Sequence, residues 1–89
     1  MRTFTYIVRD KNGIHARPAG ALISCAKKYE SRIVVRLNGE DGELKEADGK
    51  RLLSIMSLGA RYGDVLSFTV TGKDEEAAAD DLLKCCNSL

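Results

Sequence analysis

Hydrophobic side chains alternate with polar ones in three segments of the chain, which is the pattern of strands with one buried face. These segments cover residues 3–8, 32–37 and 64–71. The residues predicted to face inward are Phe4, Tyr6, Val8, Ile33, Val35, Leu37, Leu66, Phe68 and Val70. The dipeptide Asn38-Gly39 is typical of a tight hairpin turn and predicts a further short strand around residues 43–45. Leu44 is the only apolar residue there, so we expect this strand at an exposed edge of the sheet.

Three other segments repeat apolar residues at helical spacing. The first helix is expected to begin near Ala16, because Pro18 is tolerated only in a first turn. Its predicted buried residues are Ala19, Leu22, Ile23 and Ala26. A second helix over residues 49–58 should be capped by Asp48 and stopped by Gly59. Its predicted buried residues are Leu52, Leu53, Ile55 and Met56.

A third helix should follow Asp74, which we expect to cap it. Its predicted apolar stripe is Ala78, Leu82, Cys85 and Leu89. The element order is therefore β-α-β-β-α-β-α, and it predicts an α+β fold. We expect an open-faced β-sandwich in which three helices cover one face of a four-stranded, mainly antiparallel sheet. Residues 1–89 should form a single domain, because 89 residues are too few for two cores.

Charge and composition narrow the function classes. Fourteen basic and thirteen acidic side chains give a net charge of +1, which argues against a general nucleic-acid or anionic-membrane binder. No apolar stretch approaches the ~20 residues that span a bilayer, and the first residues do not form a secretory signal. Three cysteines without a Cys-x-x-Cys pair predict reduced thiols and no metal site. We therefore expect a cytoplasmic protein.

The only histidine, His15, carries the candidate chemistry. It follows Gly13, which permits an unusual turn, and it precedes the helix that Pro18 helps to start. The first backbone N–H groups of that helix, those of Ala16 and Arg17, have no intrahelical partner, so an anion should bind there. The guanidinium of Arg17 suits phosphate oxygens, and a neutral imidazole offers a nucleophilic lone pair. The alternative is a solvated or helix-capping histidine beside a surface arginine.

The segment Gly13-Ile14-His15-Ala16-Arg17-Pro18-Ala19 resembles the phosphorylation-site signature of HPr, the histidine-containing phosphocarrier of the bacterial phosphoenolpyruvate:sugar phosphotransferase system. The segment Met56-Ser57-Leu58-Gly59 resembles the end of that family's second helix, and the family has similar turns where this chain has Gly63-Asp64 and Gly72-Lys73-Asp74-Glu75. The fold of that family has the element order predicted above. The resemblance implies that His15 Nδ1 accepts a phosphoryl group from the phosphohistidine of enzyme I, which phosphoenolpyruvate charges. It also implies that Arg17 neutralises the phosphate and that a IIA domain of a sugar permease is the next acceptor.

The same resemblance implies a phosphotransfer intermediate, not an enzyme, that is monomeric and needs no cofactor. Its partner-binding surface would include Gly20, Leu52, Leu53 and Met56. The alternative for Leu52 and Met56 is core packing, and an exposed apolar patch beside His15 would decide between the two.

The chain departs from the family pattern in two places. The region between Asn38-Gly39 and Lys50 is several residues longer than usual and is acidic over residues 40–46. Arg51 occupies the position at which Gram-positive relatives carry a regulatory serine, so no regulatory serine is expected. Ser54 and Ser57 are possible substitutes.

Three other function classes remain as alternatives. A regulatory or accessory HPr-like paralogue could bind partners or serve a different kinase system on the same scaffold. A ferredoxin-like nucleic-acid module is disfavoured, because the chain has only two Phe and three Tyr and lacks a matching motif. A hydrolase is disfavoured because there is no second histidine to act as a base. Asp10 is a conjectural partner that could orient His15.

Overall fold

Four strands and three helices follow one another in the predicted order within residues 1–39 and 42–89, the part of the chain that the computed structural model describes. The elements are β1 (Arg2–Ile7), α1 (Ala16–Ala26), β2 (Arg32–Asn38), β3 (Leu44–Asp48), α2 (Leu52–Ser57), β4 (Val65–Thr71) and α3 (Glu75–Asn87). The α+β prediction and the open-faced arrangement are confirmed. No helix of the described residues has the length and apolar character needed to cross a membrane.

The strands form one antiparallel sheet in the order β1-β4-β2-β3. Phe68 on the central strand β4 lies opposite Phe4 on one side and Val35 on the other. The rings of Phe4 and Phe68 stack with their centroids 4.7 Å apart and their planes 6° from parallel. The inward-facing residues predicted from the alternation are buried, apart from the half-buried Phe4. Helix α1 packs against α2 and α3 over this face, and the opposite face remains open.

The hairpin between β2 and β3 is wider than the tight turn predicted at Asn38-Gly39. Asn38 is paired with Leu44, and the Gly39 N–H donates to the Glu43 carbonyl oxygen at 2.7 Å. Strand β2 therefore ends at Asn38 and β3 begins at Leu44, and β3 continues to Asp48, past the predicted end. Residues 40 and 41 of the predicted acidic segment lie outside the described residues. The edge position of β3 and the exposure of Leu44, at 53%, are as predicted.

Helix α2 is shorter than predicted and buries less. It begins at Leu52 after Arg51, and Asp48 does not cap it: Asp48 Oδ1 accepts the Lys50 N–H at 2.9 Å in the preceding turn. Ile55 is its only buried residue. The predicted burial of three neighbours is wrong, because Ile55 alone of the six helical residues faces the core. Their exposed fractions are 41% for Leu52, 79% for Leu53 and 37% for Met56.

Asp74 occupies the N-cap position of α3, but its side chain does not cap that helix. Its carboxylate instead accepts the N–H groups of Glu30 and Ser31, at 2.8 and 2.9 Å, and the Ser31 hydroxyl. It therefore ties the start of α3 to the connection between α1 and β2, and these hydrogen bonds lower the pKa of its carboxyl group.

The predicted apolar stripe of α3 is wrong by about one residue at its C-terminal end. The buried residues of the helix are Ala78, Ala79, Leu82 and Cys86. Cys85 is half-buried, and Leu89 lies beyond Asn87, the last helical residue. Helix α3 packs against β1 as well as α1, and Cys86 is the buried residue of its last turn. All three cysteines are free, as predicted. Burial raises the pKa of Cys25 to about 11 and that of Cys86 to about 12.

Candidate functional site

A tight loop carries the chain from β1 to His15. The Asn12 N–H donates to Asp10 Oδ1, and the Gly13 N–H donates to the Asp10 carbonyl oxygen, both at 2.9 Å. The next residue, Ile14, is buried, and its N–H donates to the carbonyl oxygen of Ala60 at 3.1 Å. The loop is therefore hydrogen-bonded within itself and to the segment that precedes β4.

Gly13 is required by the geometry of this loop. Its φ of +71° lies in the left-handed region that side chains disfavour. A Cβ at this position would lie 2.2 Å from the carbonyl oxygen of Ala60, well inside van der Waals contact. The glycine seen in the sequence thus permits the unusual turn that was predicted. The contact with Ala60 could not be predicted, because no local sequence pattern indicates which backbone passes so close.

His15 is the N-cap residue of α1, as predicted, with extended backbone angles of φ −95° and ψ −168°. Its side chain makes no capping hydrogen bond, so the helix-capping alternative is wrong. The imidazole is 38% exposed, and its Nε2 lies 3.2 Å from Asp10 Oδ2. Within the described part of the chain, Nδ1 has no protein partner. The structure thus brings Asp10 and His15 into contact, as the conjecture about Asp10 required.

The first turn of α1 leaves two backbone donors unsatisfied. Ala19 N–H donates to the His15 carbonyl oxygen at 3.0 Å, and Pro18 has no N–H. Among the residues described, none accepts a hydrogen bond from the N–H of Ala16 or of Arg17. Both residues are exposed, and they lie at the positive end of the helix dipole. This arrangement suits an anion beside His15.

The Arg17 guanidinium is exposed and forms no ion pair within residues 1–39 and 42–89. A guanidinium that is not already paired can bind phosphate oxygens without breaking another contact. The acidic side chain nearest to this turn in the chain, that of Asp10, contacts the His15 ring and the Asn12 N–H.

An apolar patch lies on the neighbouring helix. It consists of Leu52, Leu53 and Met56 of α2, which packs against α1. Because Leu52 and Met56 are exposed, the core-packing alternative for these two residues is wrong. Gly20 of α1 is half-buried, and no atom comes within 4 Å of the position that a Cβ would take there. These four residues are the ones predicted for a partner-binding surface, and their role stays a prediction.

Arg51 precedes α2 as its exposed N-cap residue and offers no hydroxyl. The two serines considered as substitutes are both engaged with backbone. Ser54 Oγ accepts the Asp48 N–H at 3.0 Å, and Ser57 Oγ donates to the Ser54 carbonyl oxygen at 2.8 Å. Across the described residues, no group of three His, Cys, Asp or Glu side chains could hold a metal ion.

The family model for the PTS HPr component phosphorylation site matches residues 2–88. The phosphocarrier protein HPr of Mycoplasma genitalium is 36% identical over 86 residues, which are 96% of this chain and 92% of that protein. The multiphosphoryl transfer protein of Vibrio cholerae is 38% identical over 80 residues, which are 90% of this chain and 20% of that protein. This chain thus spans about a fifth of the length of the multiphosphoryl transfer proteins that it matches.

Solved structures are similar over nearly the whole chain. The histidine-containing phosphocarrier protein of a Mycoplasma superposes with a TM-score of 0.89 at 26% identity, covering 98% of this chain and 93% of that one. HPr-C-His from Thermoanaerobacter tengcongensis superposes with a TM-score of 0.83 at 34% identity, covering 99% of this chain and 93% of that one.

Proposed function

This chain belongs to the HPr family of the phosphotransferase system, and we propose that it carries a phosphoryl group on His15 between two proteins of that system. The donor is the phosphohistidine of enzyme I, charged by phosphoenolpyruvate, and the acceptor is a IIA domain of a sugar permease. The observation that supports this most directly is the partly exposed imidazole beside the unsatisfied N–H groups of Ala16 and Arg17. A phosphoryl acceptor needs a nucleophile and anion donors in one place.

The transfer is an in-line exchange between two nitrogen atoms. The Nδ1 lone pair of His15 forms a bond to phosphorus while the N–P bond of the donor breaks, and the donor nitrogen keeps that electron pair. The N–H groups of Ala16 and Arg17 and the Arg17 guanidinium then bind the phosphoryl oxygens. The second transfer repeats these steps with this chain as donor, so it is a carrier that is regenerated, not an enzyme.

Partners dock on the surface formed by Gly20 of α1 and by the exposed Leu52, Leu53 and Met56 of α2, the helix that packs against α1. Exposed leucine and methionine side chains that form a patch are typical of a protein-binding surface. One surface can serve donor and acceptor in turn, because a carrier must leave the first before it meets the second. We propose that the carrier works as a monomer in the cytoplasm.

The proposal is tested by incubating the protein with enzyme I and phosphoenolpyruvate and measuring its mass. The wild type should gain one acid-labile phosphoryl group, and His15→Ala should gain none. His15→Ala should change the free energy of unfolding by less than about 1 kcal/mol, because the side chain caps nothing and is partly exposed. A loss above about 2 kcal/mol would instead indicate a structural histidine.

Arg17→Lys tests the phosphate-binding role. It keeps the charge but loses the planar pair of donors, so phosphorylation should slow about tenfold, the usual cost of one charge-assisted hydrogen bond. Arg32→Lys is the matched control, because Arg32 is an exposed arginine on β2, outside the site. Equal phosphorylation rates for the Arg17 and Arg32 variants would show that Arg17 does not bind the phosphoryl group.

A second candidate function, a regulatory or accessory paralogue, is favoured by Arg51 at the serine position. A chain without the regulatory serine could be a carrier that no serine kinase controls at that position, or a protein that binds partners without carrying phosphate. Phosphorylation of His15 by enzyme I, followed by transfer to a IIA domain, distinguishes the carrier from the accessory protein.

A further inference from the structure

Asp10 joins the turn before α1 to the ring of His15. Its two carboxylate oxygens have different partners: Oδ1 accepts the Asn12 N–H at 2.9 Å, and Oδ2 lies 3.2 Å from His15 Nε2. Its carbonyl oxygen accepts the Gly13 N–H at 2.9 Å. The turn therefore holds the carboxylate in one orientation, with the second oxygen directed at the imidazole.

We propose that Asp10 is the positioning residue of the phosphoryl acceptor, an inference that rests on the function proposed above. An ionised carboxylate can only accept a hydrogen bond, so the shared proton lies on Nε2. The lone pair is then on Nδ1, the ring nitrogen without a partner in the described structure. Asp10 thus selects the tautomer and the ring orientation in which Nδ1 can attack phosphorus.

The same contact stabilises the product of the transfer. When Nδ1 bonds to phosphorus and the donor nitrogen takes the electrons of the broken N–P bond, the Nε2 proton stays in place. The His15 ring then carries both an N–P and an N–H bond and is positively charged. The contact with Asp10 becomes an ion pair, which strengthens the hydrogen bond. Onward transfer reverses these changes, so no proton is gained or lost in either step.

The competing explanation is that Asp10 only stabilises its turn. Both contacts lower the pKa of the Asp10 carboxyl group, the Asn12 N–H more than the His15 ring. The chain contains a matched turn without a histidine: Asp48 Oδ1 accepts the Lys50 N–H at the same 2.9 Å and the same sequence separation. Asp48→Asn therefore measures what the carboxylate contributes to such a turn alone.

Asp10→Asn separates the two roles. The new side chain keeps an oxygen for the Asn12 N–H but presents an amide N–H to His15 Nε2. The amide can donate only if the ring proton moves to Nδ1, and this would block the nucleophile. Nitrogen-15 NMR of the unphosphorylated proteins, recorded at about pH 9 to observe the neutral ring, should show a shift toward the Nδ1–H tautomer in Asp10→Asn. The wild type and Asp48→Asn should keep the Nε2–H tautomer.

Phosphorylation by enzyme I provides the kinetic test. With this chain as the varied substrate, Asp10→Asn should lower kcat about three- to tenfold, the usual effect of one hydrogen bond, and leave KM unchanged. Unchanged tautomers or an unchanged kcat in Asp10→Asn, with a wild type that is phosphorylated, would overturn the role of Asp10 alone. A wild type that enzyme I does not phosphorylate would overturn the proposed function, and this inference with it.

Discussion

Replacing Gly13 with alanine should destabilise the protein and displace His15, although the change adds one methyl group. A side chain at a φ of +71° costs about 1–2 kcal/mol. The methyl carbon would also lie 2.2 Å from the carbonyl oxygen of Ala60. That oxygen accepts the Ile14 N–H, so moving it away costs roughly 1 kcal/mol for the lost hydrogen bond. The sum is a loss of about 2–3 kcal/mol, a large fraction of the 5–15 kcal/mol typical of such domains.

Gly20→Ala is the matched control and should have the opposite sign. Gly20 lies inside α1, and no atom comes within 4 Å of its added Cβ. Alanine is favoured over glycine in a helix interior by about 0.5–1 kcal/mol, so this variant should be more stable than the wild type. The same chemical change five residues after His15 therefore tests the local geometry and not the general effect of a methyl group.

Urea unfolding followed by far-ultraviolet circular dichroism measures both free energies of unfolding. Equal denaturant slopes in the three proteins are needed for a direct comparison. A Gly13→Ala variant within about 0.5 kcal/mol of the wild type, the range of ordinary surface substitutions, would refute the account of the loop. The same holds if Gly20→Ala lost as much stability as Gly13→Ala. Phosphorylation of Gly13→Ala by enzyme I should also slow, because the loop that it distorts carries His15.

Two further predictions concern other parts of the chain. An HPr kinase with ATP should add no phosphate to this protein, because Arg51 has no hydroxyl and the hydroxyls of Ser54 and Ser57 are hydrogen-bonded to backbone. A stoichiometric phosphoserine at Ser54 or Ser57 in a mass-spectrometric map would show that the regulatory site has moved to that serine. The Tyr29 hydroxyl donates to Asp81 Oδ2 at 2.5 Å, and mainly this hydrogen bond raises the pKa of Tyr29 from 10.0 to about 12. The raised pKa means that the folded state favours the neutral phenol. The stability that the Tyr29–Asp81 hydrogen bond contributes is therefore complete below pH 10 and is lost as the pH rises from 10 to 12. Tyr29→Phe should therefore lose less stability than the wild type over that interval, and equal losses in urea titrations would contradict the assignment.

The strands could be predicted from the sequence because one face of the sheet is buried and the other is open. Under that condition each inward position of β2 and β4 must be apolar, so the alternation of apolar and polar residues shows which side chains face the core. The burial of α2 could not be predicted in the same way. Leu52, Leu53 and Met56 are spaced like core residues, but they lie on the side of the helix that is turned away from the core. Apolar spacing cannot distinguish a core from an exposed patch that binds a partner.

The site was predictable to the extent that its residues are neighbours in the chain. The segment around His15 indicates the turn, the helix start and the anion donors, whereas the carbonyl of Ala60 that limits the turn comes from a distant segment. The same difference between local and distant contacts explains why His15 and Gly13, two nearby residues, differ in their importance for folding. His15 precedes the first buried residue of α1, Pro18, and its side chain is partly exposed, so it can be replaced without disturbing the packing of the helix. Gly13 contacts the backbone that precedes β4, so the fold depends on it. The residue that performs the proposed chemistry is thus expected to be dispensable for folding, whereas the glycine that shapes its loop is not.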